Sequence, residues 1–372
     1  MRSLLVYRSW AEINLSNLEE NLKNIHSFTK KDIFAVIKAD AYGHGAIEIG
    51  RFLDKQKDVK YLCVATAQEG KDLRESKVKK PILVLGGILK EELELFNRYN
   101  LTPVISDFTH LELLKHLKPQ KIHLKFDTGM HRLGFYYEDM PKILRYTKGI
   151  QIEGVMSHFP CADTNPNLTK NQIKNFREII NQLKNLTKQS FRYVHLQNTA
   201  GLIYQCDFCN SVRVGLGLYG TKPFEDFPIP IKQVMTVRAK IIASKSVKKG
   251  SSISYTGSFT AKKDMKIAVI SFGYADGLPR SLSNKGYFLI RGNKAKIIGN
   301  ITMDMTIVDI SDISNINVGD EVLISGENLR FEILAKLADT IPYEIMCNIS
   351  NRVFRKFLRK KKDETAVNFG SR

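Results

Sequence analysis

Several side chains capable of polar chemistry stand at the ends of apolar runs. In FAVIKADAYGHGA the run stops at Lys38, and a short loop with Tyr42 and two glycines follows. KIHLKF carries Lys125, with Asp127 and Arg132 just beyond it; GVMSHF carries His158, and HLQNTAGL carries Asn198 and Thr199. SVRVGLGLYG holds Arg213 ahead of Gly215 and Leu216. Taken singly these residues are ordinary, since a lysine closing a strand is commonly solvated and a solitary histidine is more often a hydrogen-bonded core residue. Arg213 is harder to dismiss, because a guanidinium in so apolar a segment needs partners. A lysine on a rigid strand end can form a Schiff base with a carbonyl, because apolar walls and neighbouring cations lower the pKa of such an amine. Glycines that expose backbone amides, with a tyrosine close by, suit a phosphate. An aldehyde cofactor with a phosphate handle meets both conditions, and pyridoxal 5'-phosphate is the leading candidate. The pair Cys206 and Cys209 in CDFC lacks a second cysteine or histidine pair at zinc-ligand spacing, so it reads as structural and no metal is expected.

The elements that must position these groups are legible as well. Through about residue 220, short β-rich runs alternate with amphipathic stretches: IFAVIK, YLCVAT, PILVLG, LTPVIS, KIHLKF, IEGVMS, YVHLQN and VRVGLG alternate with segments such as AIEIGRFLDKQ and LTKNQIKNFREIINQLKNLTK. Eight βα units in this length predict a (β/α)8 barrel of the TIM type, although a doubly wound open sheet also satisfies the pattern. Such barrels gather their sites at the C-terminal strand ends, which is where the polar residues above fall. Beyond Gly220 the pattern changes to strand-like segments between glycine, asparagine and aspartate turns, with little helical periodicity before Phe331. The expected division is therefore a barrel over residues 1–225 and a mainly β domain over 226–372.

Bulk properties narrow the function class. A chain of 372 residues with 43% hydrophobic residues can bury sizeable cores. It contains no run long enough to span a membrane, its N-terminal apolar stretch is too short for a signal peptide, and five scattered cysteines fit reduced thiols; the expected setting is cytoplasmic. The net charge of +19 is spread over many segments without a nucleic-acid motif. Only RKFLRKKKDE is dense, and it reads as a solvated or frayed end.

In nearly its whole length the sequence resembles the alanine racemases. The resemblance rests on WAEINLSNLEENLKNI, AVIKADAYGHGA, FDTGMHRLGF, GVMSHFPCAD, QNTAGL, VRVGLGLYG, SISYTGSF, SFGYADGLPR, ITMDMTIVDI and GDEVLISG, in that order. It implies interconversion of L- and D-alanine with pyridoxal phosphate, supplying D-alanine for peptidoglycan. By the same resemblance Lys38 would hold the cofactor and act as the base toward the D-enantiomer, and Tyr255 would act as the base toward the L-enantiomer. His158 and Arg213 would form a relay, with Arg213 also at the pyridine nitrogen. Tyr42, Asn198, Thr199, Gly215 and Leu216 would hold the cofactor, and Arg132 with the amide of Met303 the substrate carboxylate. Lys125 matches a position that in some members is carbamylated and braces the arginine equivalent to Arg132, with Tyr274 and Asp304 in supporting positions. Tyr255 and Met303 would come from a partner subunit, which implies a homodimer with composite sites. Asn351 stands where many relatives have a tyrosine, and His131 where they often have asparagine or glycine, so a racemase of broader specificity, for serine or basic amino acids, is the first alternative. A decarboxylase of the same fold is a weaker one, against which Arg213 argues, and a non-catalytic cofactor-binding protein would not explain Tyr255.

Overall fold

The computed structural model describes residues 7–118 and 121–359. Its strands are β1 (Ser9–Asn14), β2 (Asp32–Val36), β3 (Val59–Val64), β4 (Ile82–Val84), β5 (Thr102–Ile105), β6 (Ile122–Lys125), β7 (Ile152–Met156), β8 (Tyr193–His195) and β9 (Ser211–Val214), then β10 (Met235–Val247), β11 (Ser252–Ile253), β12 (Phe259–Thr260), β13 (Met265–Ile270), β14 (Tyr287–Ile290), β15 (Asn293–Lys296), β16 (Thr306–Asp309), β17 (Glu321–Ser325) and β18 (Phe354–Leu358). Strands β2 to β9 pair in sequence order, all parallel, and β9 returns to β2 to close a barrel. Each parallel pair needs a crossover, and the amphipathic stretches supply it.

The longest crossover helix, Pro166–Thr187, shows how local sequence sets an element. Asn165 caps it, its side chain accepting from the Leu168 amide at 3.0 Å, and Pro166 opens the first turn where its missing N–H costs nothing. Phe176, Ile179, Ile180 and Leu183 recur at three- and four-residue spacing and are buried, each contributing about 1.5–3 kcal/mol by leaving water. Lys188, at φ 56°, ends the helix in the left-handed conformation.

The second sheet runs β15-β14-β17-β10-β1-β18, with β13 on β10 and β16 on β13. Strand β1 does not join the barrel: it lies between β10, antiparallel, and β18, parallel. Alternating burial of Ala11 and Ile13 against half-exposed Glu12 and Asn14 places it in a sheet with one core face, whereas barrel strands are buried on both. The expected frayed tail is corrected in part, since Arg355 to Leu358 belong to β18 and the Arg355 guanidinium donates to the Gly43 carbonyl at 3.0 and 3.1 Å. The rest of that run, from residue 360, lies outside the described residues. Among the described residues no helix is long and apolar enough to cross a membrane, and all five cysteines are unpaired.

Candidate active site

Beyond the end of β2 the chain makes an unusual turn. Ala39, Asp40, Ala41 and Tyr42 all have φ between 51° and 54°, a left-handed helical turn built without glycine. Each such residue costs about 1–2 kcal/mol, so the surroundings must hold the turn in place. Glu69 does so on one side: Oε1 accepts from the Ala39 amide at 2.7 Å and Oε2 from the Ala65 amide at 2.6 Å, while Thr66 and Glu69 form the capping box of helix Ala67–Glu75. Asp40 accepts from the Ala46 amide at 2.7 Å on the other. Lys38 and Tyr42, four residues apart, both line a cavity of about 610 Å³ at the C-terminal mouth of the barrel.

The other strand ends converge on the same cavity: Lys125, Arg132, His158, Asn198, Thr199, Arg213, Gly215 and Leu216 all line it. Arg213 is buried and its terminal nitrogens make five hydrogen bonds. Nη1 donates to His195 Nδ1 and the His195 carbonyl, both at 2.8 Å, and Nη2 to His158 Nδ1 at 2.9 Å and to the carbonyls of Ser157 and Leu196 at 2.6 and 3.2 Å. Its Nε–H is the donor that remains. Burial lowers the Arg213 pKa to about 10, which leaves it charged at neutral pH. Burial and then the charges of Arg213, Lys125, Arg132 and Lys38 hold His158 well below the ordinary imidazole range, so it is a neutral acceptor toward Arg213. Burial followed by Arg213 and Arg132 brings Lys125 down to about 8. Asp127 shapes the turn that carries Arg132: Oδ1 accepts from the amides of Gly129 and Met130 at 2.8 and 2.9 Å, Oδ2 from that of Arg132 at 3.2 Å.

A cradle forms where β9 ends. A Cβ on Gly215 would stand 2.8 Å from Tyr42 Cζ and closer still to the phenol oxygen, so only glycine admits that ring. The Gly217 amide donates to Thr199 Oγ1 at 3.2 Å, and a Cβ on Gly217 would meet Thr199 Cγ2 at 2.9 Å. The spacing Gly215, Gly217, Gly220 directly after a strand is the sequence signal for this backbone-rich loop.

Four expected residues are elsewhere. Tyr255, Met303, Tyr274 and Asp304 do not line the cavity; they share one exposed patch of the second sheet's loops, with Tyr255 73% exposed and Met303 53%. The patch is tied together: Asn300 Nδ2 donates to the Tyr255 carbonyl at 3.0 Å, and the Ala275 amide to the Met303 carbonyl at 2.9 Å. Asp304 pairs with Arg352 at 2.8 Å. Asn351 is exposed and also off the cavity, and His131 is an exposed turn residue at φ 54°. Residues that the strand-end rule does not reach complete the wall: Ile341, Tyr343 and Cys347 arrive with helix Pro342–Asn348, and the Tyr343 ring lies 5.8 Å from that of Tyr42.

Known proteins resemble this chain over most of its length. The family models for the N-terminal and C-terminal domains of alanine racemase match residues 13–223 and 234–357. The alanine racemase of Aquifex pyrophilus is 46% identical over 354 residues, covering 95% of this chain and 99% of that one. The structure of alanine racemase from Clostridium difficile 630 superposes with a TM-score of 0.89 at 34% identity, covering 98% of this chain and 99% of that one. That of the Bartonella henselae enzyme, solved with covalently bound pyridoxal phosphate, gives 0.86 at 28% identity, covering 95% of this chain and all of the other. The chain belongs to the alanine racemase family.

Proposed function

We propose that Lys38 of one protomer and Tyr255 of a second copy are the two bases in a pyridoxal-phosphate-dependent interconversion of L- and D-alanine, a reaction that feeds D-alanine to peptidoglycan. The observation that carries the reading is the shared cavity, in which the Lys38 amine, the Arg213 guanidinium and the Tyr42–Gly215–Thr199 cradle face one space. These residues fit the cofactor. Lys38 supplies an amine for its aldehyde, the unused Arg213 Nε–H a donor for its ring nitrogen, and Tyr42, Thr199 and the amides at Gly215 and Leu216 donors for its phosphate. When bound there, pyridoxal phosphate would supply an electron sink for the pair released as the substrate's α-proton leaves.

The chain's own groups do the rest. Arg132 offers paired donors to the substrate carboxylate, and the amide of Met303 from the second copy adds another, which fixes the α-carbon between the two bases. Lys125 lies beside Arg132 and Asp127; as an ammonium it repels the guanidinium, and as a carbamate it would accept from it and help set its pose. Asn198 holds the cradle's turn, accepting from the Gly201 amide at 3.0 Å and donating to the Phe159 carbonyl at 3.2 Å. Arg213 stays protonated and so donates to the ring nitrogen without giving it a proton, which restrains side reactions. His158, kept neutral, donates from Nε2 while Nδ1 accepts from Arg213. A phenol at its ordinary pKa of about 10 is a weak base at neutral pH, so Tyr255 needs cations, and the mouth supplies Arg132, Arg213 and Lys38.

Tyr255, Met303, Tyr274 and Asp304 form an exposed patch, and exposed tyrosines and methionines on hydrogen-bonded loops are the composition of a subunit interface. We infer a homodimer in which that patch completes the partner's cavity. The boundary near residue 225 falls between β9 and β10, and the unpaired cysteines support a cytoplasmic setting. The deciding experiment measures racemisation of a panel of amino acids by cofactor-loaded protein, followed by Tyr255→Phe. Alanine should be the best substrate, and the variant should lose proton removal from L-alanine far more than from D-alanine. Faster turnover of serine, lysine or arginine, or equal loss in both directions, would refute the substrate or the two-base assignment.

A further inference from the structure

Beneath the cavity the barrel interior contains a line of polar groups among aromatic rings. Phe34 packs against Tyr61 and Tyr193 with ring centroids 4.8 and 5.0 Å apart, and two fully buried imidazoles, His123 on β6 and His195 on β8, lie among them. Glu153, 3% exposed, lies beyond His123. It occupies a bulge of β7, since Ile122 pairs with Ile152 and His123 with Gly154. Gly154 admits the imidazole: a Cβ there would stand 2.9 Å from His123 Cγ and nearer still to Nδ1 and Cε1.

The contacts form one chain. Arg213 Nη1 is 2.8 Å from His195 Nδ1, and His195 Nε2 is 2.8 Å from His123 Nδ1. His123 Nε2 is buried without a hydrogen-bond partner and stands 3.9 Å from Glu153 Oε2. Arginine has donors only, so chemistry fixes the direction of every link. His195 accepts at Nδ1, carries its proton on Nε2 and donates it to His123 Nδ1; the His123 proton is then on Nε2, facing the carboxylate. Burial, then the charge of Arg213, keeps His195 neutral. Burial is the first cause for His123 too, with Glu153 opposing it. Although burial pushes Glu153 upward, the facing His123 imidazole and the donors Tyr61 and Lys121 bring it down to about 2. Tyr61 Oη donates to Oε2, while Lys121 and Arg192 meet Oε1 at 3.0 and 3.4 Å. Those two cations explain Oε1 as a brace at the barrel's base. They do not explain a buried imidazole N–H on the opposite oxygen's side.

We propose that Glu153 is a positioning residue for Arg213, acting through His123 and His195: its carboxylate holds both imidazoles as Nε2–H tautomers whose Nδ1 lone pairs face back toward the guanidinium. With either ring in the other tautomer, two N–H groups would oppose each other in the chain and a buried donor would lose its acceptor. His195 would then release Nη1 from one of its two anchors, and the guanidinium that lines the cavity would lose part of its fixed pose. The catalytic consequence rests on the reading of Arg213 given above; the tautomer assignment does not.

The test is ¹⁵N NMR of histidine-labelled holoenzyme together with steady-state kinetics. In the unsubstituted enzyme both rings should show an unprotonated Nδ1 and a protonated Nε2 across neutral pH. Glu153→Gln should mix the His123 tautomers and lower kcat about tenfold with KM for alanine little changed, the pattern of a lost transition-state interaction. Lys121→Met, which removes only the surface brace, should lower Tm and leave tautomers and kcat alone. A charged or Nδ1–H form of either histidine in the unsubstituted enzyme overturns the proposal even if Glu153→Gln does not fold. So does Glu153→Gln with unchanged tautomers and kcat, or Lys121→Met with the same loss of kcat. Failure of the Arg213 reading looks different: Arg213→Gln would leave the cofactor's absorbance unchanged while the tautomer result stood.

Discussion

Gly215→Ala is the most direct probe of the cradle. The added Cβ would lie 2.8 Å from Tyr42 Cζ and 3.2 Å from Cε2, where carbon atoms normally keep at least about 3.4 Å, so the ring must retreat by more than half an ångström and its hydroxyl by more. Two directions are closed, because Tyr42 packs against Tyr219 at 4.9 Å and Tyr343 at 5.8 Å, and its backbone is held in the left-handed turn. The open direction is the cavity, where the ring displaces the phosphate it would otherwise bind. Overpacking of this kind costs about 1–3 kcal/mol. Borne by the cofactor-bound state, that raises the dissociation constant of pyridoxal phosphate roughly 5-fold to 150-fold. Absorbance titration of the cofactor-free protein reads the constant directly, and a thermal melt without cofactor checks that the fold survives. Tyr42→Phe removes the atom that clashes most, so in the double variant the two losses should be clearly less than additive. A dissociation constant within about twofold of the unsubstituted protein in Gly215→Ala, or strict additivity in the cycle, would refute the cradle.

Asp127→Ala frees three backbone amides of the turn that presents Arg132 and should raise KM for alanine more than it lowers kcat; an unchanged KM would show that Arg132 is posed by other means. Gly154→Ala should drive His123 from its place at a cost of about 1–3 kcal/mol, read as a lower urea midpoint, and a midpoint equal to that of the unsubstituted protein would mean that β7 can yield there. Burial brings His44 to about 4 from the ordinary 6.5, and His110, His123, His158 and His195 move the same way. Between the two values the unfolded chain binds protons that the folded one refuses, so no penalty exists above the ordinary value and stability declines as pH falls through the window. Unfolding free energies from urea titrations should therefore drop from neutrality to about pH 5, less steeply in His44→Gln, and a flat profile would contradict neutral burial.

Much of this architecture is legible in the chain. The eight apolar runs map onto β2 to β9 because a parallel barrel strand is buried on both faces and must be continuously apolar. The polar residue closing each run then marks the mouth, which is how Lys38, Lys125, His158 and Arg213 could be grouped before any contact was known. Three things escape such a reading. Ala39 to Tyr42 carry no glycine to announce positive φ, and the turn exists because Glu69 and Asp40 tie its amides. Tyr343 and Cys347 reach the cavity through tertiary packing of a helix some 300 residues away in sequence from Lys38. His123 and His195 sit inside strands whose apolar neighbours disguise them, so nothing at the level of periodicity distinguishes them from core filling.

The position of β1 bears on how the molecule is made. A central strand of the second sheet, β1, is translated before the whole barrel, and its neighbours β10 and β18 after it. During synthesis β1 must wait, without β10 or β18, while the barrel strands emerge and pair locally. Ala11 and Ile13, which end fully buried, stay exposed for that interval. A fragment beginning after β9 would leave β10 with an open edge and β18 without its strand partner, both able to capture a strand from another chain. Supplied with residues 7–14 as a separate peptide, such a fragment has a ready place for it. Strand β1 thus ties the segment before the barrel to segments after it, and the sheet closes only once β18 has emerged.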